Sequence, residues 1–345
     1  MKPFVSVIVP CRNEAPFLER CLDSILASDY PPARLEVIVA DGRSVDGTGE
    51  LLNRYAAREP RLRVIDNREV LTPVGLNRAI AAAHGEIVVR FDGHAVMPND
   101  YLRRCVALLE SSAADNAGGS IRTLPQTGGL FSGPIAAALG SRFGVGDSAF
   151  RTSSKDCSIH TGPRPADTVF GGCFRRELFS RIGGFNERLE RGQDLEFNLR
   201  LRRAGGAVVL DPAIVCDYYA RSGLASFWRH NFLNGAWAVL PFARSDIVPV
   251  RARHLVPLAF VAALAGSLVL PFPWLIAIPA AYAALCLAAS ARVALDRRQT
   301  TYLALMPIVF LSLHLAYGLG SAWGCLQLVL SPTRRRPTAG IERDP

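Results

Sequence analysis

Over the first third of the chain, short apolar runs alternate with amphipathic stretches. Phe4–Val9 is an apolar run closed by Pro10, and Pro16–Ser28 then sets Phe17, Cys21, Leu22 and Ile25 at helical spacing. Leu35–Ala40 is a second apolar run, too uniform for a half-exposed strand, and a helix is predicted over Gly49–Arg58. Arg63–Asp66 reads as a third strand. Thr72 and Pro73 supply an N-cap and a first-turn proline for a helix running to His84, where Gly85 stops it. Glu86–Phe91 is a fourth strand. Uniformly apolar strands separated by helices predict an α/β domain whose mostly parallel sheet is covered on both faces.

In such a sheet ligands bind beyond the carboxyl ends of the strands. Polar residues collect at those ends: Arg12-Asn13-Glu14 after the first strand, Asp41 after the second, Asp92 and His94 after the fourth. From Gly128 to Pro165 the chain is rich in Gly, Ser and Pro, which predicts loops with one short helix near Ile135–Leu139.

The C-terminal pattern differs in kind. No Asp, Glu, Lys or Arg lies between His254 and Arg292, nor from Gln299 to Thr333. Such stretches exceed the roughly 20 residues that cross a hydrocarbon core. Leu255–Leu270 and Trp274–Ala291 flank Pro271-Phe272-Pro273 and predict a hairpin of two spans, with Tyr302–Gly320 as a third. Three spans place Arg334–Arg336 opposite the α/β domain, against the positive-inside tendency, unless the last segment turns back at Gly318-Leu319-Gly320. Upstream, Tyr218-Tyr219-Ala220-Arg221 and Phe227-Trp228-Arg229-His230 mix aromatics with cations. They suit either a sugar- or diphosphate-binding edge or an amphipathic helix at the membrane interface, the latter being preferred.

Charge and cysteine content narrow the choices. The 345-residue chain carries a net charge of +9. Much of the excess flanks the apolar segments, at Arg251, Arg253, Arg292, Arg297, Arg298 and Arg334–Arg336, where it can meet anionic headgroups. Without a dense basic run in the α/β portion, nucleic acid is not an expected partner. Eight cysteines with no CxxC pair argue against a zinc site or a disulfide framework and fit a reducing compartment. The opening residues lack a secretory signal pattern, so the N-terminal domain is expected in the cytoplasm, anchored to the inner membrane.

No GxGxxG and no GxxxxGK[ST] occurs, which disfavours a dinucleotide-dependent dehydrogenase and a P-loop ATPase. What stands in the first turn is Val9-Pro10-Cys11-Arg12-Asn13-Glu14, followed by Asp41-Gly42-Arg43-Ser44-Val45-Asp46-Gly47-Thr48 after the second strand. Then come Gly75, Asn77 and Gly85, Phe91-Asp92-Gly93-His94, Phe170-Gly171-Gly172-Cys173-Phe174-Arg175-Arg176 and Gly192-Gln193-Asp194-Leu195-Glu196. In this order they resemble the inverting glycosyltransferases of family 2, with their GT-A nucleotide-diphospho-sugar transferase fold. Asp92-Gly93-His94, Gln193-Asp194 and His314–Gly320 are most similar to the succinoglycan-biosynthesis glucosyltransferase subgroup.

The resemblance implies a nucleotide-sugar site at Pro10, Glu14, Asp41 and Asp92, an acceptor site at Gly171, Gly172 and Gln193, and a catalytic base at Asp194. It also implies a divalent metal, Mn²⁺ or Mg²⁺, at Asp92 and His94, the histidine standing where the family has a second aspartate. The chemistry agrees: an anionic leaving group needs a cation, and an attacking hydroxyl needs a base. Asp194 opens a predicted helix, whose N-terminus favours a carboxylate; Asp46 reads as a turn or helix cap. The donor implied is a UDP-hexose, UDP-glucose by resemblance, and the acceptor a polyprenyl-diphosphate-linked sugar of exopolysaccharide synthesis. Another lipid acceptor, or a catalytically silent scaffold of an export complex, are the alternatives. The missing Gln-x-x-Arg-Trp motif of processive synthases argues for one sugar per event. The expected organisation is a catalytic domain over 1–222, an interfacial linker over 223–254, about three spans over 255–331 and a basic tail over 332–345.

Overall fold

The computed structural model describes residues 2–126, 128–152, 162–220, 222–269 and 271–330. Cys157, Arg221 and the basic tail with Arg334–Arg336 lie outside the described residues. The N-terminal half runs β1 (Val5–Cys11), α1 (Ala15–Leu26), β2 (Leu35–Asp41), α2 (Thr48–Arg58), β3 (Leu62–Asp66), α3 (Thr72–Ala82), β4 (Ile87–Arg90), β5 (Ala95–Val96) and α4 (Tyr101–Ser111). It continues through β6 (Asn116–Pro125), α5 (Ser132–Leu139), α6 (Arg142–Val145), α7 (Ala149–Thr152), β7 (Arg164–Pro165), β8 (Phe170–Arg175), α8 (Glu177–Ile182), α9 (Gln193–Arg203) and β9 (Val208–Ala220). The C-terminal part is helical: α10 (Leu224–Val239), α11 (Pro241–Arg244), α12 (Ala252–Ser267), α13 (Phe272–Arg297) and α14 (Tyr302–Leu330).

The strands form one sheet in the order β3-β2-β1-β4-β8-β6-β9-β5, with β7 on β9. From β3 to β4 all pairings are parallel; β8 is inserted antiparallel between β4 and β6, so the sheet is mixed. Successive strand residues point to opposite faces, and both faces are covered here. Val7, Val9, Val37 and Val39 join α1, α2 and α4 in one core, while Ile8, Ile38 and Val88 join α3, α8 and α9 in the other. That double burial is the reason these strands read as unbroken apolar runs.

Two details, one helix face and one helix end, differ from expectation for local reasons. The first helix buries Leu18, Cys21, Leu22 and Ile25, whereas Phe17 turns out of that stripe to stack on Tyr219, with ring centroids 6.3 Å apart. The third helix ends at Ala82, two residues early. The buried Glu36 accepts from the His84 amide at 2.7 Å and from Ser6 Oγ at 2.6 Å, drawing the chain out of the helix. Gly85 then lies so close to β1 that a Cβ would meet the Ser6 nitrogen at 2.6 Å.

By length and composition α13 and α14 are apolar enough to cross a membrane, while α12 is a shorter apolar helix of 16 residues. Of the two alternatives left open for the last segment, the reversal at Gly318-Leu319-Gly320 does not occur: α14 continues to Leu330. Its glycines serve packing instead. A Cβ on Gly320 would overlap the Phe232 carbonyl oxygen, and one on Gly235 would overlap that of Tyr317. Thus α10, expected at a membrane interface, has a face of small residues closed by α14.

Candidate active site

In the order β3-β2-β1-β4 the chain moves one way from β1 through β2 to β3 and returns to the other side with β4. The crevice of such a sheet opens at that switch, beyond the carboxyl ends of β1 and β4. Register places Cys11 beside Asp41 and Ile8 beside Arg90, so the segments after β1, β2 and β4 converge on one edge.

Two of these segments are laced together. Asn13, at φ +55°, takes the Val45 amide on its side-chain oxygen at 2.9 Å and donates its own amide to Ser44 Oγ at 2.9 Å. Asp41 accepts from Ser44 Oγ at 2.5 Å, which orients its carboxylate at the end of β2. Asp46 accepts from the Thr48 amide and hydroxyl at 3.1 and 2.6 Å, at the start of α2. Pro10 lies one residue before the end of β1, level with Ala40.

Strand alternation turns Arg90 to the face of Val88, toward α9. Its guanidinium bridges two carboxylates, Asp92 Oδ1 at 2.7 Å and Asp194 Oδ2 at 3.1 Å. Its Nε is buried without a partner. One side chain thus joins the end of β4 to the first turn of α9, residues a hundred positions apart. Burial raises the Asp194 pKa above the usual aspartate value; Arg90 opposes the rise and Asp92 adds to it. Arg90 was missed in the sequence, although a lone charge within the apolar run Ile87–Phe91 is a usable signal.

His94 does not sit free at the edge. Its Nδ1 lies 3.0 Å from Glu14 Oε1, and its ring packs edge-on against Tyr218 with centroids 4.8 Å apart. Burial alone would lower the His94 pKa. Tyr218 and the carboxylates of Glu14 and Asp92 outweigh burial and raise it, so the imidazole carries a proton at neutral pH. Tyr218, in β9, therefore belongs to the site edge rather than to a membrane-facing helix. Arg151 of α7 reaches over the same ring at 5.6 Å.

The predicted acceptor residues have packing reasons of their own. Gly171, at φ +60°, lies against Tyr101, whose hydroxyl donates to its carbonyl, and a Cβ on Gly172 would strike Phe174. Gln193 is buried at the start of α9. A narrow cleft lined by Arg90, Asn116, Gly172, Phe174, Asp194 and Asn198 brings the β8 glycine and the α9 carboxylate together.

A divalent ion fits this edge in a limited way. Among the described residues no three His, Cys, Asp or Glu side chains are grouped to cage a metal. Ions that accompany nucleotides use one or two carboxylates and take their other ligands from phosphates and water, which Asp92 can satisfy. His94 would first have to lose its proton and its Glu14 partner.

Comparison with known proteins bears on the family and the fold. The chain is 29% identical over 91% of its length to the succinoglycan biosynthesis protein ExoA of Rhizobium meliloti (strain 1021), covering 92% of that protein. It is 25% identical over 68% of its length to a dolichyl N-acetyl-alpha-D-glucosaminyl phosphate 3-beta-D-2,3-diacetamido-2,3-dideoxy-beta-D-glucuronosyltransferase of Methanococcus voltae, covering 72% of it. Among solved structures, the mannosyltransferase PcManGT of Pyrobaculum calidifontis, in complex with GDP-Man and Mn²⁺, shares the fold with a TM-score of 0.55 at 24% identity. That match covers 94% of this chain and 88% of that one. The model of Glycosyl transferase family 2 matches residues 6–179, half of the chain. With that match and the strand-end carboxylates in place, the chain belongs to glycosyl transferase family 2 and is a glycosyltransferase.

Proposed function

We propose that the protein transfers a single hexose, from a UDP-hexose such as UDP-glucose, to a lipid-linked sugar acceptor held at the membrane, with inversion at the anomeric carbon. The observation that carries this reading is the Arg90 bridge between Asp92 and Asp194. It holds a donor-side carboxylate and a candidate base at one edge. Asp41 and Glu14 would take the nucleoside, with Pro10 shaping the turn, and Asp92 would hold a divalent ion that neutralises the leaving diphosphate. Gly171, Gly172 and Gln193 would line the acceptor side.

In the step itself Asp194 removes the acceptor hydroxyl proton while that oxygen forms a bond to the anomeric carbon. The bond from that carbon to the diphosphate breaks, and the electron pair leaves with the nucleoside diphosphate. Arg90 keeps Asp194 ionised and aimed. The raised Asp194 pKa moves it toward the range in which a base is effective near neutrality. Residues 1–222 would form the catalytic domain, facing the cytoplasm, and 223–254 the connection to the apolar helices. The relationship to a succinoglycan biosynthesis protein supports an acceptor in exopolysaccharide assembly, a polyprenyl-diphosphate-linked sugar.

Membranes carrying the protein, a lipid extract and a panel of radiolabelled UDP- and GDP-sugars test this. Label should enter the lipid phase from one UDP-hexose. Nucleotide binding without transfer to any lipid fraction would favour a silent scaffold.

A further inference from the structure

The loop-rich stretch Gly128–Pro165 holds a charge that the proposed transfer leaves unused. Within it α7 is a single helical turn that carries Arg151. That turn is held in place. The Arg151 and Thr152 amides donate to the Ser148 carbonyl at 3.0 and 3.1 Å, and Thr152 is buried. Just upstream, Asp147 takes Arg253 Nη1 at 3.0 Å, while Nη2 of the same guanidinium meets Asp167 at 2.9 Å. Between them Gly146, at φ +64°, lets the chain pass so close that a Cβ there would lie 3.0 Å from the Arg253 Cβ. Arg151 is thus presented by a turn pinned to the first residues of α12.

What Arg151 touches is aromatic. Its Cζ lies 5.1 Å from the ring centre of Phe150 and 5.6 Å from that of Tyr218. The Tyr218 ring in turn meets the His94 ring at 4.8 Å, and His94 follows Asp92 by two positions. A guanidinium therefore stands one ring away from the end of β4. Its Nη1 is buried and bonded to nothing, and among the described residues no carboxylate pairs with it.

The other cations of this edge are engaged or diluted by water. Arg90 is shared by Asp92 and Asp194, and His94 faces Glu14. Arg12 and Arg43, after β1 and β2, are exposed, and solvent weakens the charge they offer. Arg151 differs from all four. A half-buried guanidinium without an anion is costly, and the aromatic face beneath it offsets only part of that cost. Its planar fork of N–H donors matches the oxygens of a phosphate.

We propose that Arg151 is a catalytic residue that binds the diphosphate of the nucleotide donor. The inference rests on the proposed transfer, which brings that anion to the end of β4. As the bond from the anomeric carbon to the diphosphate breaks, its electron pair stays on the phosphate oxygen. Arg151 donates N–H bonds to this growing charge, with Tyr218 as the ledge on which the guanidinium rests. A lipid-linked acceptor offers a diphosphate as well. The place beside His94 and Asp92 assigns Arg151 to the donor's.

The full chain in detergent is compared with Arg151→Gln and Arg151→Lys. UDP calorimetry, thermal melts with and without UDP, and transfer kinetics into a lipid extract are the readouts. Arg151→Gln should bind UDP about 10- to 100-fold more weakly than wild type, with Arg151→Lys in between. Its melting temperature without nucleotide should stay at the wild-type value, because no ion pair is lost, while the rise caused by UDP shrinks. KM for the lipid acceptor should not change. Unaltered UDP affinity overturns the assignment. A lower melting temperature with the UDP-induced rise intact, or failure to fold, makes Arg151 a packing residue and overturns it as well. A raised acceptor KM with UDP affinity intact moves Arg151 to the lipid diphosphate and also overturns it. Should the wild type bind GDP and not UDP, the UDP-hexose reading falls, and the same comparison with GDP decides Arg151. A wild type that binds neither defeats both.

Discussion

Replacing Arg90 with glutamine removes the cation shared by Asp92 and Asp194 and leaves two carboxylates facing each other across the gap. The two ion pairs that disappear are 2.7 and 3.1 Å long, made by a guanidinium with 13% of its side chain exposed. Removing one partner of a fully buried pair costs about 3–5 kcal/mol. Asp92 and Asp194 are 18% and 34% exposed, so water offsets part of the loss and the low end, about 3 kcal/mol, applies. In a domain of this size that is a fall in Tm on the order of 10 °C. The pH dependence carries the sharper content. Asp194 already has a raised pKa from burial, held in check by Arg90. Without Arg90 it rises further. An acid whose folded pKa exceeds its unfolded value destabilises as pH climbs from the second to the first, and the penalty vanishes when it is protonated. The stability gap between wild type and Arg90→Gln should therefore widen as pH rises and narrow as pH falls toward the ordinary aspartate range, while the acid limb of kcat/KM moves to higher pH. Thermal melts in detergent and pH-rate profiles of both proteins provide the check. A gap independent of pH, with the acid limb unmoved, would refute the bridge as described.

Asp92→Ala should weaken Mn²⁺ affinity of the UDP complex by at least about tenfold, and His94→Ala by much less, because His94 serves Glu14; the reverse ranking in a Mn²⁺ titration would make His94 the ligand. Gly320→Val puts branched carbon against the Phe232 carbonyl and should cost about 1–3 kcal/mol or more in thermal melts by forcing α10 and α14 apart. Asn77→Ala removes two 2.8 Å bonds, to the carbonyl and the amide of Phe185, and should cost about 1–3 kcal/mol; turnover should fall more than UDP affinity, since these bonds brace the segment leading to Asp194.

How much of this was legible depends on how each strand is buried. Val5–Cys11 and Leu35–Asp41 are covered on both faces, so their composition announces them, and with them the edge where Glu14, Asp41 and Asp92 stand. The second half of the sheet was opaque. Strand β6 contains Gly118-Gly119 and an exposed Arg122, and β9 carries Pro212, with a register shift between β6 and β9 at Gly118/Ser120. Neither pattern resembles an ordinary strand, yet β9 delivers Tyr218 to His94. The Arg90 bridge was hidden because its meaning lies in a contact between residues 90 and 194, which no local pattern encodes. The apolar helices were recognised by composition, but hydropathy sees length and not direction. Gly318 and Gly320, read as a possible turn, are the contact faces for α12 and α10.

The central claim is that Asp194 is the base that activates the acceptor. Asp194→Asn keeps the shape of the side chain and removes its ability to take a proton, so turnover and donor binding should separate. Turnover of labelled UDP-hexose into lipid should fall about 10²- to 10⁴-fold, while UDP affinity by calorimetry stays within about threefold of wild type. A variant that keeps more than about a tenth of wild-type turnover, with donor binding intact, would contradict the account and place the base elsewhere.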